Sequence, residues 1–210
     1  MSQTSAAIWW IELIKISPGL ITVLFCIVLV ILNRKTLTAM LERMTKFKGL
    51  GLEAEFATKE LDSAIASHQV AVSADDRKGA LKRLNVTSPL LRDARVLWVD
   101  DEPASTRSER ALLEKAGARV TTVKTSADAE RELMEHEYLL VITDLKREGN
   151  ATEGLDFVRR TVASGTYRWA IAYVATDQWG KPRPEYLFAI TNRPDHLIHY
   201  ICDVAERERL

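Results

Sequence analysis

Two apolar runs of this 210-residue chain end in acids. Val96-Leu97-Trp98-Val99 leads into Asp100, Asp101 and Glu102, and Leu139-Leu140-Val141-Ile142-Thr143 leads into Asp144. If the runs are neighbouring strands of a parallel sheet, these carboxylates converge at its carboxyl edge, where open α/β sheets place their ligands. Clustered negative charge calls for a counter-ion. A hard divalent cation such as Mg²⁺, held by one or two carboxylates plus waters and a phosphoryl group, fits the need.

The elements that must position these acids follow from the pattern after Ala94. The spacing predicts strands at 96–100, 118–124, 138–144, 169–176 and 186–191, and helices at 104–116, 126–137, 153–164 and from Pro194 to Arg207. Gly117 is placed to stop the first of these helices and Ser126 to cap the next. Strands alternating with helices of ten or more residues imply βαβ units and a parallel sheet. The stretch from Asp177 to Glu185, DQWGKPRPE, is too short and too broken by Gly180, Pro182 and Pro184 for a full crossover helix.

Composition excludes several classes. The chain has 29 basic and 29 acidic residues and 47% hydrophobic content, so it has a core to bury and no global charge that argues for nucleic acid. No glycine-rich phosphate loop, Ser/His/Asp ordering or DNA-binding motif is present. Cys26 and Cys202 lie far apart and read as small buried hydrophobes in a reducing compartment. A phosphatase of the haloacid-dehalogenase kind would want Asp-x-Asp after its first strand, where this chain has Asp-Asp-Glu. The acids could also be mere strand ends, with Asp101 capping the next helix.

Taken together, VLWVDDEP at 96–103, Thr143-Asp144-Leu145 with Asp144 placed 43 residues after Asp101, GLDFV at 154–158 and Ala175-Thr176-Asp177 resemble a response-regulator receiver domain of the CheY-like kind. The resemblance covers about residues 94 to 208. It implies an α/β, doubly wound, flavodoxin-like sheet of five parallel strands, here with a shortened fourth helix. It further implies that Asp144 is the phosphoacceptor, with Asp101 as direct Mg²⁺ ligand, Asp100 as its water-mediated helper and the Lys146 backbone carbonyl as the remaining protein ligand. Thr176 corresponds to the hydroxyl residue that bonds the phosphoryl oxygen. Receivers carry a lysine at the end of the fifth strand; here Ile190-Thr191-Asn192-Arg193-Pro194 puts Arg193 there, a planar guanidinium in place of a point charge. Lys146 and Arg147 add positive charge near the acids, either pairing with them or, as the preferred reading, simply solvated. A partner histidine kinase is implied. Enzymatic activity is not expected beyond the receiver's own phosphorylation and dephosphorylation, and a scaffold that keeps the fold without phosphorylation is the alternative.

Ahead of this domain, Ile16–Leu32 is free of charge, and as a helix it would cover roughly 25 Å. With Ile8–Lys15, including Trp9 and Trp10 as interfacial anchors, it reaches the ~30 Å of a bilayer core. Arg34, Lys35, Arg43, Lys46 and Lys48 follow the span and only Lys15 precedes it. A single-pass inner-membrane protein is therefore expected, with its N-terminus outside and its C-terminal domain cytoplasmic. The expected organisation is an anchor at 1–33, a cytoplasmic segment at 34–93 and a receiver-like domain at 94–210. Within the middle segment, 34–48 reads as a basic amphipathic juxtamembrane helix, solvated as the preferred reading, although anionic lipid would attract its lysines and arginines. Residues 49–56 alternate like a short strand available for self-association or docking, 57–70 look helical, and 71–93, with Ser88-Pro89, read as the linker.

Overall fold

The computed structural model describes residues 54–147, 149–150, 152–165, 167–175 and 182–208. The expected anchor at 1–33, the basic helix at 34–48, Cys26, Thr176 and Trp179 lie outside them. Among the described residues, no helix is long and apolar enough to cross a membrane.

The five strands are β1 (Arg95–Val99), β2 (Arg119–Val123), β3 (Leu140–Thr143), β4 (Ala170–Tyr173) and β5 (Ala189–Thr191). All pair in parallel, in the order β2-β1-β3-β4-β5. This is the flavodoxin-like doubly wound order. Side chains alternate between two cores, as a period of two requires. Val96, Trp98, Ile142, Ile171 and Tyr173 face one side. Leu97, Val99, Val141, Ala170 and Ala172 face the other. Strands buried on both faces read as unbroken apolar runs, which is why β1 and β3 were visible in the sequence.

Helix α1 occupies 54–68, followed by α2 (Ala74–Leu91), α3 (Arg107–Lys115), α4 (Ser126–Glu135), α5 (Glu153–Ala163) and α6 (Pro194–Arg207). Gly117 ends α3 with φ +104°, a conformation that favours glycine. The cap of α4 is Thr125, whose side chain accepts from the Asp128 amide, and not the expected Ser126. Among the described residues between β4 and β5 none is helical, as the prolines require.

Two expectations about the middle segment are corrected. Of the strand expected at 49–56, residues 49–53 lie outside the described residues, and 54–56 begin α1 and do not form a strand. Residues 74–91, read as linker, form an 18-residue helix whose Ala80, Leu84, Thr87 and Leu91 make a buried stripe. Ser73 caps it by accepting from the Asp76 amide at 3.1 Å. Pro89 is tolerated because the carbonyl its missing N–H would serve, that of Asn85, accepts the Ser88 hydroxyl at 2.9 Å. Leu61, Ala80, Leu84 and Leu91 share a core with the sheet, and Glu55–Leu210 forms one compact unit. Arg83 on α2 bonds Asp203 at 2.5 Å and Glu206 at 3.0 Å on α6.

Candidate functional site

Parallel pairing sets the acids side by side. Val99 is in register with Thr143, so Asp100 and Asp144 emerge together from the carboxyl ends of neighbouring strands. The Asp144 amide donates to the Val99 carbonyl at 3.2 Å and the Asp100 amide to that of Val123 at 2.9 Å. Asp100 is 5% exposed. Its Oδ1 accepts from the Glu102 amide at 2.9 Å and its Oδ2 from the Thr106 hydroxyl at 2.8 Å, which locks the carboxylate in one orientation. Asp101 is exposed and does not cap the following helix, whose N-cap position belongs to Thr106.

Asp144 is half-buried. Burial pushes its carboxyl above the usual range, opposed by the Lys146 and Leu145 amides and reinforced by the charges of Asp100 and Asp101. The three carboxylates therefore share one field. They line a cleft of about 340 Å³ together with Ser67, His68, Trp98, Lys146 and Tyr173. Among the described residues, no group of three or more His, Cys, Asp or Glu is gathered tightly enough to form a ready-made metal cage. Mg²⁺ does not need one, because it keeps several waters and takes one or two carboxylates plus phosphoryl oxygens. The mutual charge at Asp144 is what such an ion would neutralise, and the oxygen donors fit it.

The backbone at Asp144 is held from beneath. Gly154, in the first turn of α5, donates its amide to the Leu145 carbonyl at 3.0 Å. A Cβ at Gly154 would lie 2.0 Å from the Asp144 carbonyl oxygen, so only glycine allows this approach. Arg147 corrects the expectation of a solvated side chain: it is 1% exposed, with its guanidinium on the Thr143 and Ser126 hydroxyls. Lys146 is exposed, as expected, and is one of the residues lining the cleft.

Arg193 does not reach Asp144. Its Nε and Nη2 grip the two oxygens of Asp195 at 3.1 and 2.7 Å, and Nη2 also meets Asp76 of α2 at 3.3 Å. The Asp195 carboxylate is the main cause holding the Arg193 guanidinium above its ordinary pKa. Thr176 lies outside the described residues, so its expected place at the cleft is not described.

Part of the cleft's other wall, Ser67 and His68, comes from outside the region the motifs cover. At the end of α1, His68 Nε2 stands 3.2 Å from Glu109 Oε1, without hydrogen-bond alignment. The Tyr173 hydroxyl donates to the same oxygen at 2.8 Å, and its ring lies 4.6 Å from that of His68 and 6.0 Å from Trp98. Burial, then the Glu109 charge, pushes the Tyr173 hydroxyl far up, so it remains a donor. A signal for this trio existed. Glu109 precedes Leu112 and Leu113 by three and four positions, and His68 follows Leu61 by seven, so each polar residue sits on an apolar helical stripe.

No family model matches the chain, and no curated protein does. Among solved structures it is similar to the response regulator TrrA of Thermotoga maritima in complex with Mg²⁺ and a beryllium fluoride. That similarity is 20% identity over 53% of this chain and 98% of that one, with TM-score 0.47. A response-regulator receiver domain from Clostridium thermocellum is 23% identical over 55% and 97%, with TM-score 0.47. The anti-anti-sigma factor PhyR of Bartonella quintana is 17% identical, covering 66% of this chain and 59% of its own, with TM-score 0.48. The fold itself is defined by the observed strand order, β2-β1-β3-β4-β5.

Proposed function

We propose that the chain is a receiver-like signalling protein in which Asp144 accepts a phosphoryl group, anchored to the inner membrane with this domain on the cytoplasmic side. The observation that carries the reading is the convergence of Asp100, Asp101 and Asp144 in one cleft, with Asp144 pressed by its neighbours' charge. In the proposed step an Asp144 carboxylate oxygen bonds to phosphorus while the P–N bond to a phosphohistidine donor breaks, the imidazole keeping the electron pair. Asp144 and Asp101 would hold Mg²⁺, with Asp100 helping through water and the Lys146 carbonyl as the remaining ligand. Bound there, the ion neutralises charge on the phosphoryl oxygens. The Lys146 amide, 3.4 Å from Asp144 Oδ1, steadies the nucleophile, and the Lys146 ammonium is free to turn toward incoming phosphate from the cleft wall. Thr176 is assigned the hydroxyl that senses the phosphoryl group. The anchor rests on the apolar sequence Ile16–Leu32.

Incubation of the full chain with phosphoramidate and Mg²⁺, followed by intact mass measurement, tests this. One phosphoryl adduct, labile to hydroxylamine and absent in Asp144→Asn, is expected; no adduct in wild type overturns it. The contacts of Arg193 favour a second reading, a scaffold that keeps the receiver fold for partner binding or self-association without phosphorylation. A guanidinium committed to Asp195 and Asp76 supplies no charge to a phosphoryl group at Asp144. Under that reading Asp144→Asn retains cellular activity.

A further inference from the structure

Arg147 is a buried cation in the loop that follows the acceptor strand, and its contacts converge on the peptide units of the candidate site. Its Nη1 donates to the Thr143 hydroxyl at 2.8 Å, and that hydroxyl donates in turn to the Asp144 carbonyl at 2.9 Å. Its Nη2 donates at 2.7 Å to Ser126 Oγ, at the start of α4, and that hydroxyl donates to Glu153 Oε1 of α5 at 2.6 Å. The guanidinium carbon lies 5.4 Å from the centre of the Phe157 ring, a cation–π distance. The Arg147 backbone exchanges both hydrogen bonds with Asn150, at 3.1 and 2.8 Å, closing a tight turn in which Gly149 has φ +78°.

A solvated arginine would cost nothing to place, whereas a buried one must be held by several acceptors. Two of its acceptors are hydroxyls that tie it to β3, through Thr143, and to α4 and α5, through Ser126 and Glu153. We propose that Arg147 is a positioning residue: its guanidinium, through Thr143, fixes the Asp144–Lys146 backbone in the shape from which a divalent cation is bound. This role rests on the reading of the cleft given above. It assigns work to a residue that the motif pattern leaves unassigned.

The test compares wild-type full chain with Arg147→Met, which keeps the volume, and Thr143→Val, which keeps the shape of the strand residue but removes the hydroxyl relay. Mg²⁺ affinity is measured by calorimetry, amide hydrogen exchange of residues 144–147 by mass spectrometry, and folding by urea midpoint. Both variants are expected to stay folded, to bind Mg²⁺ about tenfold more weakly, as loss of a ligand-orienting partner does, and to exchange the 144–147 amides faster. Two variants that match wild type in affinity and exchange overturn this role alone. A wild type without Mg²⁺ affinity overturns both this role and the reading of the cleft.

Discussion

Gly154→Ala isolates the contact between α5 and the end of β3. In a helix, alanine is favoured over glycine by about 1 kcal/mol, so in open space the change would stabilise the protein. At Gly154 the added Cβ meets the Asp144 carbonyl oxygen at 2.0 Å, Leu145 Cα at 2.8 Å and the Asp144 carbonyl carbon at 2.9 Å. These are backbone atoms, so no side-chain rotation relieves the clash. Moving the oxygen from 2.0 Å to the 3.4 Å of ordinary contact opens the junction by about 1.4 Å. Such overpacking costs about 1–3 kcal/mol, and loss of the Gly154–Leu145 hydrogen bond adds about 1 kcal/mol. Net of the propensity gain, Gly154→Ala should destabilise by about 2 kcal/mol in urea unfolding followed by tryptophan fluorescence. Gly79 in α2 has nothing within 4 Å of its Cβ position, so Gly79→Ala should instead stabilise by up to about 1 kcal/mol. Because Asp144 itself would shift, the yield of phosphoryl adduct should fall about hundredfold, the scale of a 1 Å misplacement. A Gly154→Ala protein as stable as Gly79→Ala would refute the reasoning.

Three further outcomes follow from the same contacts. Because the folded protein raises the Asp144 pKa, the native state binds more protons than the unfolded one, and stability falls as pH rises above the ordinary value of 3.8 and through the folded pKa. Asp144→Asn should therefore be more stable than wild type near neutral pH and equal to it in acid, as thermal unfolding across pH 3–8 will show. Arg193→Ala removes the partner of Asp195, which is 1% exposed, and should cost about 2 kcal/mol, less than a fully buried pair because the arginine is partly solvated, while Mg²⁺ affinity stays within about twofold. Burial pushes the Cys202 thiol up to about 11, so in a Cys26→Ser background it should react with a disulfide reagent only after urea is added.

Much of the sheet was legible because its signals are local. The runs ending in Asp100 and Asp144 are strands buried on both faces, and the helix from Pro194 to Arg207 has the bounds read from sequence, with proline in its first turn. Ser88-Pro89 misled for an equally local reason: a proline usually marks a boundary, and only the Ser88–Asn85 bond shows how α2 absorbs it. The solvated reading of Arg147 failed because charged residues after a strand are mostly exposed, and its partners Ser126 and Glu153 lie on other helices.

By itself, the sequence determined the alternation of strands and helices and the placement of three acids at strand ends, since periodicity, turn residues and apolar runs act within a few positions. Which carboxylates the long-range side chains engage was decided only by the tertiary structure. Arg193 is paired with Asp76, 117 residues away, and Tyr173 with Glu109, 64 residues away. A long flexible side chain commits to whichever carboxylate the fold brings within reach, and that distance is set by packing, not by sequence spacing.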